Sequence, residues 1–327
     1  MNNTFVSVII PTYNYEQYIV QAVESVLAQD YPAENIEIVI VDDGSTDNTK
    51  KSLQSFITAG KVSYIYQNNK GKANASFMAI QQCKGKYIFN LDADDYFFPD
   101  KISSTVAIFE ANENIVHVAT PAIFYNDKLE ATNVVEALPV DIVGKQIPGY
   151  TLLGYFYSNN IFYGSGSTFA ARASILKAIT IPDAVDMYID EFLILSILPF
   201  GSSFFIQKPL SAWRMHDNNY SKKSVDAAKQ IAKEERLLKS SAAVLKYLID
   251  NSYDAGLIKI YRLKDCNRRI ALKETFKTKN VKDIACYART VFFEIKPGWK
   301  LIKKYQVINR LLPLSLFLFL KKLSSKQ

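Results

Sequence analysis

Phe5-Val6-Ser7-Val8-Ile9-Ile10-Pro11-Thr12-Tyr13-Asn14 sets the architecture of this 327-residue chain. Its first six residues form an apolar run rich in β-branched side chains, ended by Pro11. That pattern belongs to a strand buried on both faces of a parallel sheet. Ile36–Val41 repeats it, and Val62–Tyr66 and Tyr87–Leu91 add a third and a fourth strand. Between them Tyr18, Ile19, Ala22, Val23, Val26 and Leu27 recur at helical spacing, with Pro32 beyond the stop. Leu53, Phe56 and Ile57 mark a second helix, and Gly71–Cys83 is compatible with a third. Strands alternating with helices in this way imply right-handed βαβ units and an α/β fold with a mostly parallel central sheet.

Ligands of such sheets bind outside the carboxyl ends of the strands. Three polar clusters fall there: Pro11-Thr12-Tyr13-Asn14, Asp42-Asp43-Gly44-Ser45-Thr46, and Asn90-Leu91-Asp92-Ala93-Asp94-Asp95-Tyr96. The last packs three carboxylates into four positions directly after an apolar run. Like charges repel, so holding them at a strand end is favourable when a cation sits among them. Hard divalent cations, Mn²⁺ or Mg²⁺, take one or two carboxylates together with substrate phosphate oxygens. The competing reading is a solvated acidic turn.

Charge divides the chain unevenly. Residues 222–327 hold 25 Lys and Arg against 9 Asp and Glu, whereas residues 1–221 hold 14 against 23. An acidic body with a basic end predicts contact between that end and an anionic surface. Hydrophobic residues at 49% and charged residues at 22% are ordinary for a globular protein. Met1-Asn2-Asn3-Thr4 has no basic n-region, so no signal peptide is expected. Cys83, Cys266 and Cys286 are odd in number and widely spaced, which predicts buried thiols in a reducing cytosol rather than disulfides or a zinc site.

Taken together, Ser7–Asn14, Val41-Asp42-Asp43-Gly44-Ser45-Thr46-Asp47 and Leu91–Asp95 closely resemble glycosyltransferase family 2. The resemblance covers roughly residues 5–221 and implies a GT-A fold that transfers a sugar, with inversion, from a nucleotide sugar, UDP-linked above all. It implies that Pro11, Thr12, Tyr13 and Asn14 line the nucleotide pocket, with the Tyr13 ring against the base and Asp43 accepting from base or ribose. Asp92, Ala93 and Asp94 look like the family's DXD element, which holds the diphosphate through the metal, with Asp95 as adjacent ligand or orienter. Asp190-Glu191 resembles the acidic pair that supplies the acceptor's base, and Asp190 is favoured over Glu191. Trp213-Arg214-Met215-His216 resembles the motif closing the catalytic domain, with His216 as a further metal or diphosphate ligand and Arg214 on phosphate. One departure stands out: the family's Arg-Asn pair in the third helix is replaced, leaving Lys70 or Lys72 to meet the phosphates as a point charge. His117, within the apolar run Ile115–Ala119, reads as a core residue.

The expected organisation is a catalytic domain over 1–221, with a nucleotide-binding half at 1–100 and an acceptor half at 101–221. A helical basic region follows over 222–327. Leu311–Leu320 is shorter than the roughly 20 apolar residues that span a bilayer, so residues 299–327 read as an interfacial segment on an anionic membrane. No nucleic-acid motif accompanies the charge. The expected partners are a nucleotide-sugar donor and a saccharide or lipid-linked saccharide acceptor, met in the cytoplasm or at the inner face of the membrane. Two other classes compete. A dinucleotide-dependent oxidoreductase should carry a Gly-rich turn after strand one, where this chain has Pro11-Thr12-Tyr13-Asn14. An inactive scaffold would not be expected to keep Asp92, Asp94 and Asp190 together.

Overall fold

The computed structural model describes residues 4–126, 128, 130–159, 161–186, 189–217, 219, 226–271 and 285. The chain divides into two compact units, Met1–Leu152 with Phe162–Lys222, and Leu153–Ile161 with Lys223–Gln327.

The first unit begins as its sequence dictates. Strands β1 (Val6–Thr12), β2 (Ile36–Asp42), β3 (Ser63–Tyr66) and β4 (Tyr87–Asn90) alternate with helix α1 (Ile19–Leu27), the short turns α2 (Thr49–Ser52) and α3 (Gln54–Thr58), and helix α4 (Lys72–Gln82). β1 runs through Pro11 instead of ending before it. Its pairing with β4 covers only Val6–Ile9, while the β2 pairing continues to Thr12 opposite Asp42. Thr12 O accepts from Asp43 N on the β2 side, so Pro11, one residue earlier, turns its missing N–H towards the side where β4 has already stopped. The proline therefore removes no ladder bond. All seven β1 residues are buried, as a strand covered on both faces requires.

The rest of the unit comprises β5 (Tyr96–Phe97), α5 (Lys101–Ala111), β6 (Ile115–Ala119), β7 (Ala122–Asn126), β8 (Ala131–Val135), β9 (Gln146–Pro148), α6 (Gly149–Asn159), β10 (Phe169–Arg172), α7 (Ala173–Ala178), α8 (Ile189–Ile197), β11 (Ser202–Phe205) and β12 (Ser211–Met215). Only the start of α6 belongs here; Leu153 onwards falls in the second unit. The main sheet has the order β3-β2-β1-β4-β10-β6-β11-β9, and a second sheet the order β5-β12-β7-β8. The strands β3 to β4 are parallel, but β10 lies antiparallel between β4 and β6, and β9 antiparallel to β11, so the sheet is mixed beyond its first half. Arg172 on β10 stabilises that junction. Its guanidinium lies over the stacked rings of Tyr87 and Phe109 and donates to the carbonyls of Ile115, Phe109 and Asn112.

Three ionisable groups are built into this half. His117 is fully buried in β6. Its Nε2 lies 2.9 Å from Gly164 O, so that nitrogen carries the proton, and Nδ1 accepts from Ser203 Oγ at 2.7 Å. Burial pulls its pKa down to about 4. Burial likewise lowers Lys101 to about 7 and raises the partly buried Glu136 to about 7. Between the unfolded value near 4.3 and about 7, the folded chain keeps the Glu136 proton that the unfolded chain has released, so this group loses stability as pH rises. Glu136→Gln is therefore expected to gain about 2–3 kcal/mol relative to the wild type between pH 4.5 and 6.5. Paired urea melts at the two pH values measure this. An equal stability difference at both would show that Glu136 does not titrate with folding.

In the second unit, α9 (Ala227–Asp250) is capped by Asp226, whose Oδ1 accepts from Ala228 N and Lys229 N. Helix α10 (Ala255–Ala271) places Arg268 Nη1 3.0 Å from both Ser241 Oγ and Tyr261 OH. Cys83 and Cys266 are buried free thiols, while Cys286 lies outside the described residues. So does the segment 299–327 read as interfacial. Among the described residues no helix is long and apolar enough to cross a membrane.

Candidate active site

The parallel register brings the three polar clusters to one sheet edge. Thr12 pairs with Asp42, and Asn90 with Ile9, so the segments leaving β1, β2 and β4 emerge side by side. The β12 segment and the first turn of α8 complete the edge.

Asp92 makes the densest contacts. Lys72, the first residue of α4, sets its Nζ 2.9 and 3.0 Å from the two carboxylate oxygens, and Asn90 Nδ2 adds a bond at 3.1 Å. The same ammonium lies 3.9 Å from Asp190 Oδ2, so Lys72 stands between Asp92 and the acid at the α8 start. Burial alone would pull the lysine down; the charges of Asp190 and Asp92 outweigh it and hold its pKa above the ordinary lysine range. Asp190 is pushed upward by burial and then by Asp92, opposed by Lys72 and by the nearby backbone of Gly166. Its side chain stays 38% exposed, whereas the neighbouring Glu191 is buried. Adjacent helix positions face directions about 100° apart, so only one of the pair opens to the site.

Asp94 pairs through Oδ2 with His216 Nε2 at 3.0 Å, and its Oδ1 meets no protein partner among the described residues. The His216 ring packs on Tyr18, with centroids 4.8 Å apart. Asp95 is different: Oδ1 accepts from Arg214 N at 3.0 Å and Oδ2 from Ser167 Oγ at 2.5 Å. Of the two roles expected for it, ligand or orienter, the geometry favours the second. Burial, then the charges of Asp94 and Asp92, hold its carboxyl well above the usual range. Arg214, read as a phosphate contact, is buried instead in the wall of the site. Nε donates to Asp94 O, Nη2 to Gln21, and the guanidinium lies 4.6 Å from the Tyr18 ring centroid.

The nucleotide-side residues also differ in how free they are. Tyr13 remains 44% exposed, open to a planar ligand. Asp43 is buried and saturated by three donors, Gln67 Nε2, Lys70 N and Gly71 N at 2.6–2.8 Å. It braces the loop before α4. Asn14, in the left-handed region at φ 58°, accepts from Thr46 N and donates its own N–H to Ser45 Oγ, tying the first cluster to the second. Pro11, Thr12 and Ala93 are buried; Thr12 Oγ1 is without a hydrogen-bond partner among the described residues.

Two site residues escaped the sequence reading. Tyr15 lies edge-on to His216, and burial followed by the charges of Asp94 and Asp92 pushes its phenol up. Ser167 Oγ accepts from Asp92 N at 3.0 Å while donating to Asp95. Its signal was Gly164-Ser165-Gly166-Ser167. Both glycines take positive φ, +81° and +53°, and a Cβ on Gly166 would lie 3.4 Å from Asp92 Oδ2.

A mixed α/β sheet with an acidic edge of this kind defines a GT-A-type site. The Glycosyl transferase family 2 model matches residues 7–180, over half of the chain, and the chain belongs to that family. It is 40% identical over 115 residues to a chondroitin synthase of Escherichia coli, and 29% identical over 173 residues to the poly(ribitol-phosphate) β-N-acetylglucosaminyltransferase TarS of Staphylococcus aureus. Those alignments cover 35% and 52% of this chain, and the chain spans a third or less of the curated relatives it matches. The structure of S. aureus TarS 1-349 in complex with UDP-GlcNAc has the same fold, with a TM-score of 0.62 at 18% identity over 94% of this chain and 89% of that one. The mannosyltransferase PcManGT from Pyrobaculum calidifontis, in complex with GDP-Man and Mn²⁺, gives a TM-score of 0.53 at 18% identity over 94% and 86%.

Proposed function

We propose that the chain is an inverting glycosyltransferase that moves a sugar from a nucleotide-diphosphate sugar, with UDP as carrier, to the hydroxyl of a saccharide or lipid-linked saccharide in polysaccharide synthesis. The observation that carries it is the placing of Asp92, Asp94 and His216 at the same sheet edge as a half-open Asp190, with Lys72 between. Residues 1–221 would hold the whole site, the first hundred serving the nucleotide and the remainder the acceptor.

The acceptor oxygen attacks the anomeric carbon as its bond to the diphosphate breaks, and the nucleotide leaves with the electron pair. Asp190 takes the acceptor's proton; a carboxyl raised from its ordinary value is the better base for a hydroxyl. Lys72 meets the charge that develops on the departing phosphate, and Tyr13 offers its exposed ring to the base. Asp92, Asp94 and Asp190 face two cations, Lys72 and Arg214, and Arg214 is turned into the wall, so the site has room for added positive charge. Asp94 and His216 fit a divalent cation, Mn²⁺ or Mg²⁺. Among the described residues no group of three or more His, Cys, Asp or Glu is placed to hold one, so donor phosphoryl oxygens would complete the shell. When bound, the cation supplies charge stabilisation for the leaving diphosphate.

The GT-A relatives crystallised with UDP-GlcNAc and with GDP-Man and Mn²⁺ support a nucleotide-sugar donor. The test is a thermal-shift panel of UDP, GDP, UDP-sugars and GDP-sugars with and without Mn²⁺. A ligand at a hundred times its dissociation constant should stabilise by about 2.7 kcal/mol. A panel without any shift would sink the reading.

A further inference from the structure

Lys101 is fully buried at the first position of α5, where the positive end of a helix dipole disfavours a cation. Among the described residues its Nζ reaches two neutral acceptors, Thr120 Oγ1 at 2.9 Å and Thr168 O at 3.2 Å, and it lies 5.5 Å from the Phe97 ring centroid. The ionisable groups facing it are Glu136 and the neutral His117. A buried ammonium so thinly partnered is costly unless it secures something.

What it secures is the turn over residues 164–168. Two of its glycines occupy the left-handed region, so its backbone, a single 3₁₀ turn over Gly166–Thr168, depends on ties from outside as well as on its own. His117 Nε2 donates to Gly164 O, Thr168 N and Oγ1 to Ser165 O, and Ser211 Oγ to Ser167 O. Thr168 O takes two donors, the backbone Thr120 N at 3.3 Å and Lys101 Nζ at 3.2 Å. The opposite edge of the turn faces the site: Ser167 Oγ accepts from Asp92 N and donates to Asp95 Oδ2, and a Cβ on Gly166 would lie 3.4 Å from Asp92 Oδ2. One turn thus touches both Asp92 and Asp95.

We infer that Lys101 is a positioning residue for the proposed transfer, anchoring the 164–168 turn that sets Asp92 and Asp95 relative to one another. The inference rests on reading those carboxylates as the reacting site. Small displacements of reacting groups cost about 10²-fold in rate, whereas among the described residues the exposed Tyr13 ring and the Asp94–His216 pair make no contact with the turn. Lys101→Met should therefore keep its UDP·Mn²⁺ dissociation constant while its kcat for nucleotide release from the sugar donor falls about 10²-fold, assayed well below its Tm. Because Lys101 acts through Ser167, adding Lys101→Met to Ser167→Ala should lower kcat little further. A purely structural lysine would lower Tm and leave kcat intact in the folded fraction. Full kcat in folded Lys101→Met, or full multiplication of the two losses, would overturn the inference. If Lys101→Met does not fold, Thr120→Val removes one of the two acceptors and should show the same split; wild-type kcat there overturns it equally. A wild-type chain that releases nucleotide from no donor would instead sink the proposed function itself.

Discussion

Asp190→Asn is expected to release nucleotide from its sugar donor about 10²–10⁴-fold more slowly than the wild type while binding UDP with unchanged affinity. The amide keeps the shape of the carboxylate, and the side chain is 38% exposed, so the α8 start should stay in place. What is lost is the capacity to take a proton, with the charge that helps hold Lys72 between Asp190 and Asp92. Stopped assays of nucleotide release, with water or a saccharide as acceptor, give kcat, and titration with UDP and Mn²⁺ gives binding. Glu191→Gln is the control. That side chain is buried behind the exposed one, so its loss should appear in stability before it appears in rate. Turnover in Asp190→Asn equal to that of the wild type would remove Asp190 as the base.

The first half of the fold was readable because its signals are local. Apolar runs such as Phe5–Ile10 and Ile36–Val41 carry no polar alternation, and a strand of that kind has only one place to go, the middle of a covered sheet. Parallel register then follows from connectivity, which brings Thr12, Asp42 and Asn90 to the same edge. The antiparallel insertion of β10 between β4 and β6 was not readable, since it depends on which distant strand completes the edge of β4.

The site was legible in membership more than in role. Asp92, Asp94, Asp190 and His216 converge, but the partners that decide their duties are remote in sequence. Ser167 meets Asp92 and Asp95 from 75 and 72 residues away, and Arg214 reaches Asp94 and Asp95 from 120 and 119. A sequence motif gives the charge of Arg214; it does not show that the guanidinium lies against Tyr18 and donates to Gln21. Asp43 and Asn14 show the same effect at shorter range, for both satisfy loop N–H groups that chain order does not advertise. Such residues build the site's frame, and a resemblance cannot separate frame from contact.

That separation is sharpest between Asp94 and Asp95, and it makes the second large effect specific. Asp94→Asn is expected to lower turnover about 10³-fold and to abolish the extra stabilisation that Mn²⁺ gives to bound UDP, since a cation clamp supplies several kcal/mol of charge stabilisation. The amide retains one oxygen for His216 Nε2 and Asn219 Nδ2, both of which meet the same Oδ2, so Tm without ligand should change little. Asp95→Asn should behave in the opposite way. Both of its oxygens accept from buried donors, Arg214 N and Ser167 Oγ, and the amide nitrogen would face one of them, leaving that donor unsatisfied at a cost of about 1–3 kcal/mol. Its Tm should fall, while the remaining folded protein still answers to Mn²⁺. Thermal shifts of both variants with UDP, with and without the cation, separate the two. If Asp94→Asn kept the full Mn²⁺ increment, the cation would have to be held elsewhere, and the division of labour within Asp92–Asp95 would be wrong.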